Sequence, residues 1–124
     1  RNLHGHSYRL LVTVTGNISV DEDGNRLGMV IDFGDLKRIV KRVVVDQFDH
    51  ALMVSSRIPR EMLDGLAEMA GRVRVVDYQP TCENMVVDFA GRIIRELPSG
   101  ISLHSLRLNE TATSYAEWFA DDNQ

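Results

Sequence analysis

A second cysteine is missing. Cys82 stands alone among 124 residues, so no internal disulfide can form, and the chain fits a reducing compartment. No apolar run approaches the ~20 residues a membrane-spanning helix needs. No stretch has the build of a signal peptide, so a cytoplasmic protein without a membrane partner is expected. Internal repeats and low-complexity tracts are lacking as well. So is an excess of positive charge. The 14 Lys and Arg are outnumbered by 18 Asp and Glu. A net charge of −4 argues against general nucleic-acid binding while leaving room for a local basic patch. At 44% hydrophobic and 26% charged, residues 1–124 suit a single domain with a real core and are too few for two.

What is present is concentrated near the start. His4-Gly5-His6-Ser7-Tyr8 runs straight into Arg9-Leu10-Leu11-Val12-Thr13-Val14-Thr15-Gly16, within a strand expected over 6–20. Two histidines two positions apart on a strand share a face and lie about 6–7 Å apart. Neutral imidazole is a preferred zinc ligand, so both rings could lean toward one ion. Tyr8, Leu10, Val12 and Val14 form the more apolar row, and His4 and His6 continue it. The pair reads either as two ordinary histidines near a terminus or as part of a metal site. Catalytic zinc needs a third protein ligand besides.

Residues 21–25 (Asp-Glu-Asp-Gly-Asn) make a turn by composition, and 27–32 a second short strand, together a hairpin. Asp32 has the character of a helix N-cap, with Asp35 in the first turn. Leu36, Ile39, Val40, Val43, Val44 and Phe48 recur at helical spacing, with Lys37, Arg38, Lys41 and Arg42 on the opposite, solvated face. Val43-Val44-Val45 is poor in helix propensity. Residues 47–53 close this helix and carry Asp49-His50. Such a pair reads as a helix-end histidine meeting the dipole, or as a histidine acid/base oriented by a carboxylate. Neighbours on a helix point about 100° apart, so Asp49 need not touch the ring of His50.

Pro59 suits the first position of a short helix with Met62, Leu63, Leu66 and Met69 on one side, weakened or ended by Gly65 and Gly71. Residues 72–76 read as a short strand. Thr81 is the natural N-cap of a second long helix striped by Met85, Val86, Phe89, Ala90, Ile93, Ile94 and Leu97, and ended by Pro98-Ser99-Gly100. Cys82 lies in its first turn, where the dipole could lower a thiol pKa, although a lone cysteine there is usually structural. In a strand over 103–111, Leu106 and Leu108 share parity with His104 and Glu110. Glu110 thus extends an apolar row, either because the strand has left the core or because a sheltered carboxylate accepts paired N–H donors. Residues 114–119 close the chain as a strand or turn. The order suggests an α+β layer: an antiparallel sheet with two long helices on one face.

Five blocks in this order resemble the 6-pyruvoyl-tetrahydropterin synthase family. They are Leu3-His4-Gly5-His6-Ser7-Tyr8, Gly28-Met29-Val30-Ile31-Asp32-Phe33, Phe48-Asp49-His50-Ala51, Pro80-Thr81-Cys82-Glu83-Asn84 and Asn109-Glu110-Thr111-Ala112-Thr113-Ser114. Within the family they look most like the bacterial branch of queuosine biosynthesis. The resemblance implies a tunnelling fold with a four-stranded antiparallel sheet, closing into a β-barrel in trimers that stack as hexamers, with active sites between subunits. It implies a lyase acting on 7,8-dihydroneopterin triphosphate, with zinc held by three histidines. Two of these match His4 and His6. The third, and a catalytic cysteine or glutamate four residues before His4, would lie upstream of Arg1. By the same match, Asp49 and His50 are the catalytic pair and Glu110 anchors the pterin. Thr81 and Glu83 fall in a motif near the pterin pocket. Neither His104 nor His50 is expected to be the third ligand. Two alternatives stay open: a pyruvoyl- or folate-branch enzyme, and a module that binds a pterin or purine without turning it over.

Overall fold

The computed structural model of the chain describes residues 8–16 and 30–123. Its elements are β1 (Arg9–Gly16), α1 (Phe33–Val40), a π-helical stretch (Lys41–Val45), α2 (Asp46–Phe48), β2 (Leu52–Ser55), α3 (Arg60–Ala70), β3 (Val73–Val76), α4 (Cys82–Ile94), β4 (Ile101–Asn109), β5 (Tyr115–Phe119) and a closing 3₁₀ turn (Ala120–Asn123).

Period-2 patterning builds the main sheet. Tyr8, Leu10, Val12 and Val14 pack on the core, while Arg9, Leu11, Thr13 and Thr15 face outward. β1 runs antiparallel to β4, and β4 to β5, in the order β1-β4-β5. The register sets Leu10 opposite Leu108 and Val12 opposite Leu106, with Ala116 and Trp118 continuing the same two rows on β5. α4 covers this face. Met85, Val86, Phe89, Ala90 and Ile93 are buried against Leu103, Leu106 and Leu108. Ile94, read as part of that stripe, instead faces solvent at 46% exposure, because five positions already fill the contact width of the helix.

The expected sheet differs in two ways. Among the described residues the antiparallel sheet has three strands. The strand expected over 27–32 lies outside the described residues up to 29, and residues 30–32 form a bend leading into α1 rather than a strand. The second difference is β2, which pairs in parallel with β3, Leu52 opposite Val73 through Ser55 opposite Val76. Residues 47–53 were expected to close a helix; the helix stops at Phe48 and the apolar run continues as a strand. Short apolar runs do not distinguish the two by periodicity. The ends of the expected first strand, 6–7 and 17–20, and the turn at 21–25 lie outside the described residues.

Caps behave as their chemistry requires. Asp32 accepts from the Gly34 N–H at 2.7 Å and Thr81 from the Asn84 N–H at 3.2 Å. Pro59 takes the N-cap position of α3 rather than its first helical position, and Gly71 closes that helix at φ +78°. α3 buries no residue fully, and its Met62 and Met69 are exposed. The valine-rich stretch that reads poorly as α-helix is π-helical, and the Lys41–Asp46 ion pair at 2.9 Å spans the i,i+5 spacing of that geometry.

Leu106 sits at the centre of the contact between sheet and α4, with 1% of its surface exposed. Leu106→Ala is expected to cost about 3 kcal/mol of stability through lost burial and the cavity left behind, read as a lower urea midpoint at unchanged slope.

Candidate active site

The helix formed by α1, the π-helical stretch and α2 ends on the Asp49-His50 dipeptide. The last four carbonyls of a helix have no partner within it. Here each finds one. The Val45 carbonyl accepts from the Asp49 N–H and that of Phe48 from the Ala51 N–H. Arg72 donates to the Asp46 carbonyl, and Arg74 Nε donates to that of Gln47 at 2.6 Å. A second nitrogen of Arg72 donates to the Asp49 carbonyl at 3.0 Å. Asp49 is extended, at φ −63° and ψ 131°, and His50 follows at φ +57°. With the Ala51-to-Phe48 hydrogen bond this is a type II turn with histidine where glycine is preferred.

His50 is the one non-glycine residue with positive φ among the described residues. Its side chain stands in solvent, 73% exposed, and Asp49 Oδ2 lies 3.5 Å from its Nε2. Helical geometry left that contact open; the carboxylate does approach its neighbour's ring, both residues having left the helix.

Glu110 occupies the other region, just past the end of β4. Its N–H and that of Thr111 both donate to the Ser114 carbonyl, at 2.9 and 3.2 Å, and Thr111 Oγ1 accepts from the N–H groups of Thr113 and Ser114. This bracing holds Glu110 partly buried on the inward row that parity assigns it. Arg9 pairs with Asn109, so one further step along the ladder sets Tyr8 opposite Glu110. Burial chiefly, then the charges of Glu110 and Cys82, pushes the Tyr8 hydroxyl above its ordinary pKa.

Cys82 Sγ donates to the Leu108 carbonyl at 3.3 Å, tying the start of α4 to the end of β4. Its thiol is pushed up, by burial first and then by Glu110 and Glu83, with a hydrogen bond from the Ala116 backbone opposing. That direction is opposite to the one the helix dipole could give. Thr81 uses its hydroxyl oxygen to cap α4, and Glu83 is exposed in the first turn beside it.

Tyr8 belongs to both regions. Together with Leu10, Val44, Phe48, Leu108 and Asp49 it lines a pocket of about 120 Å³ between sheet and helix end. Yet no hydrogen bond or ion pair among the described residues joins Asp49 or His50 to Glu110, and His50 faces outward. His4 and His6 lie outside the described residues. Among those described, no three histidine, cysteine, aspartate or glutamate side chains are grouped to hold a metal ion. His104 leaves the inward row altogether. The register slips between Thr13, opposite Ser105, and Val14, opposite Leu103, so His104 is the extra residue of a bulge. It is exposed, with Nδ1 3.0 Å from Ser105 Oγ.

Tyr8, Arg72 and Arg74 were missed as site residues. Arg72 and Arg74 did carry a signal: two arginines at i,i+2 share one face of a strand, as the two histidines of His-x-His do.

A family model described as 6-pyruvoyl tetrahydropterin synthase matches residues 1–121. The chain belongs to that family. A Haemophilus influenzae relative named 6-carboxy-5,6,7,8-tetrahydropterin synthase is 35% identical over 120 residues, covering 95% of this chain and 82% of the relative. Proteins of the same name from Aquifex aeolicus and Rickettsia felis are 33% and 30% identical, with 94% and 93% of this chain covered and 74% and 81% of theirs. The crystal structure of an uncharacterized protein from Wolinella succinogenes superposes with a TM-score of 0.62 at 17% identity, covering 96% of this chain and 99% of that one. At that identity it shows the fold alone. All five blocks of the pterin synthase pattern fall inside the matched residues.

A histidine held at positive φ stores strain. Replacing it by glycine in this pterin synthase family member, His50→Gly, is expected to raise stability by about 1 kcal/mol, the relief of strain being partly offset by the freer unfolded chain. Thermal unfolding checks this; an unchanged or lower midpoint contradicts the strain.

Proposed function

We propose that the chain is a zinc-dependent carbon–oxygen lyase that converts 7,8-dihydroneopterin triphosphate to 6-carboxy-5,6,7,8-tetrahydropterin in cytoplasmic queuosine biosynthesis. Relatives bearing the name of that synthase cover most of the chain. The observation that carries the reading is Glu110, a braced and partly buried carboxylate at the end of an otherwise apolar row. A carboxylate so placed accepts two parallel hydrogen bonds from a planar, guanidine-like edge, as a pterin offers. Aspartate is too short for that reach, and glutamine cannot accept on both arms. Thr81 and Glu83, at the start of α4 near Cys82, flank the same region.

His50 is assigned the proton transfers on the substrate side chain, with Asp49 orienting the ring and stabilising its protonated form. An imidazole acts on a C–H or O–H only when held at the right place, and the closed hydrogen-bond set at the helix end fixes the backbone from which the ring projects. The donor chemistry of His4 and His6, two imidazoles at His-x-His spacing in the sequence, suits zinc. When bound, zinc supplies Lewis acidity that makes nearby hydroxyls and the adjacent C–H easier to deprotonate. An outward-facing His50 fits a site completed by a neighbouring copy, so a homotrimer or homohexamer is part of the proposal.

The reading is tested on full-length protein with 7,8-dihydroneopterin triphosphate, identifying products by mass spectrometry. The expected product carries the 6-carboxy group. A pyruvoyl or hydroxymethyl pterin would assign the chain to another branch, and intact substrate would make it a binding module. Glu110→Ala is expected to weaken pterin binding at least tenfold, the scale of losing a charge-assisted pair. His4→Ala and His6→Ala should each remove most of about one zinc per chain; unchanged metal content in both would overturn the ligand assignment.

A further inference from the structure

We propose that Arg72 is a positioning residue for His50, fixing the backbone on both sides of it, with Arg74 closing the helix end behind. This rests on the reading of His50 as the proton-transferring group. Four observations converge. The guanidinium of Arg72 donates to the carbonyl of Asp49, the peptide oxygen immediately before His50. It also donates to the Asp46 carbonyl one turn earlier, so the planar fork spans the helix end and the turn. Two residues after His50, the Leu52 N–H donates to the backbone carbonyl of the same Arg72 at 3.0 Å. Between these anchors His50 sits at φ +57°, a conformation that persists in a non-glycine residue only where the surroundings over-determine it.

The side chain of His50 has no such support. It stands in solvent with Asp49 3.5 Å away, so its direction is inherited from the backbone. Removing Arg72 would leave two helix-end carbonyls to water and free the turn to relax toward negative φ. The α4 core would be untouched, since Arg72 is exposed and absent from the buried cluster.

The test compares Arg72→Ala and Arg72→Lys with the full-length parent in two readouts: turnover of 7,8-dihydroneopterin triphosphate and residue-resolved amide exchange. For Arg72→Ala, kcat is expected to fall about tenfold or more with KM within about twofold, since misplacing a catalytic group costs the transition state and not substrate binding. Arg72→Lys, which keeps the charge and a single donor nitrogen, should recover part of the loss. Exchange at Ala51 and Leu52 should speed up in Arg72→Ala while Phe89 and Ile93 stay protected. A rise in KM at unchanged kcat would mean that Arg72 touches substrate, and would overturn the inference. So would unchanged exchange at Ala51 and Leu52, or an equal rise throughout α4. Should the parent itself leave the substrate intact, the functional reading fails, and exchange alone then upholds or overturns the clamp.

Discussion

The packing of α4 across the inner face of β4 is the contact on which the rest of this chain depends. Phe89, Ile93 and Met85 lie on Leu103, Leu106 and Leu108, all nearly free of solvent. At about 25 cal/mol per Å² of apolar surface removed from water, a cluster of this kind is the main force holding so small a sheet against a helix. Both regions of the site inherit their place from it. Glu110 follows Leu108 by two residues, Thr81 immediately precedes α4, and the Cys82 thiol joins the two elements through the Leu108 carbonyl. In the same core cluster, Phe48 meets Phe89 at 5.1 Å between ring centroids, with the Arg92 guanidinium 4.7 Å from the Phe48 centroid. That contact sets where the helix ends, and so where Asp49 and His50 emerge.

A second constraint acts at that helix end. A helix that stops must place its last carbonyls, and here two go to backbone N–H groups of the turn and two to arginines preceding and within β3. The parallel pairing of β2 with β3 is what brings those arginines within reach. The small two-stranded sheet thus has a purpose beyond burial. It fixes a strained turn that carries a histidine.

Much of this was legible in the sequence where the cause is local. Asp32 and Thr81 cap because their side chains reach an N–H two or three residues on, and the buried stripe of α4 follows from a spacing of three and four. The inward row of β1, and Glu110 as its counterpart at the end of β4, followed from parity. What was not legible depends on partners far along the chain. β2 continues an apolar run out of a helix, and only its pairing with β3, some 20 residues later, makes it a strand. The parity that placed His104 inward fails because one bulge shifts the phase of the strand before Leu106. The positive φ of His50 has no signature in a residue type that rarely adopts it. The Cys82 thiol is pushed up by burial and by Glu110, which only the fold brings near, and then by its chain neighbour Glu83.

The proposed function requires two half-sites, Glu110 for the pterin and the Asp49-His50 turn for proton transfer, that meet between copies. His50→Ala and Glu110→Ala chains, each expected to be strongly impaired alone at substrate below the parent's KM, test it when co-expressed and purified as mixed oligomers. Random assembly in equal amounts gives about a quarter of sites both intact residues if the two come from different copies of a symmetric assembly. Turnover of 7,8-dihydroneopterin triphosphate at about that fraction of the parent's rate is the predicted result; mixed oligomers as impaired as the separate variants would contradict it.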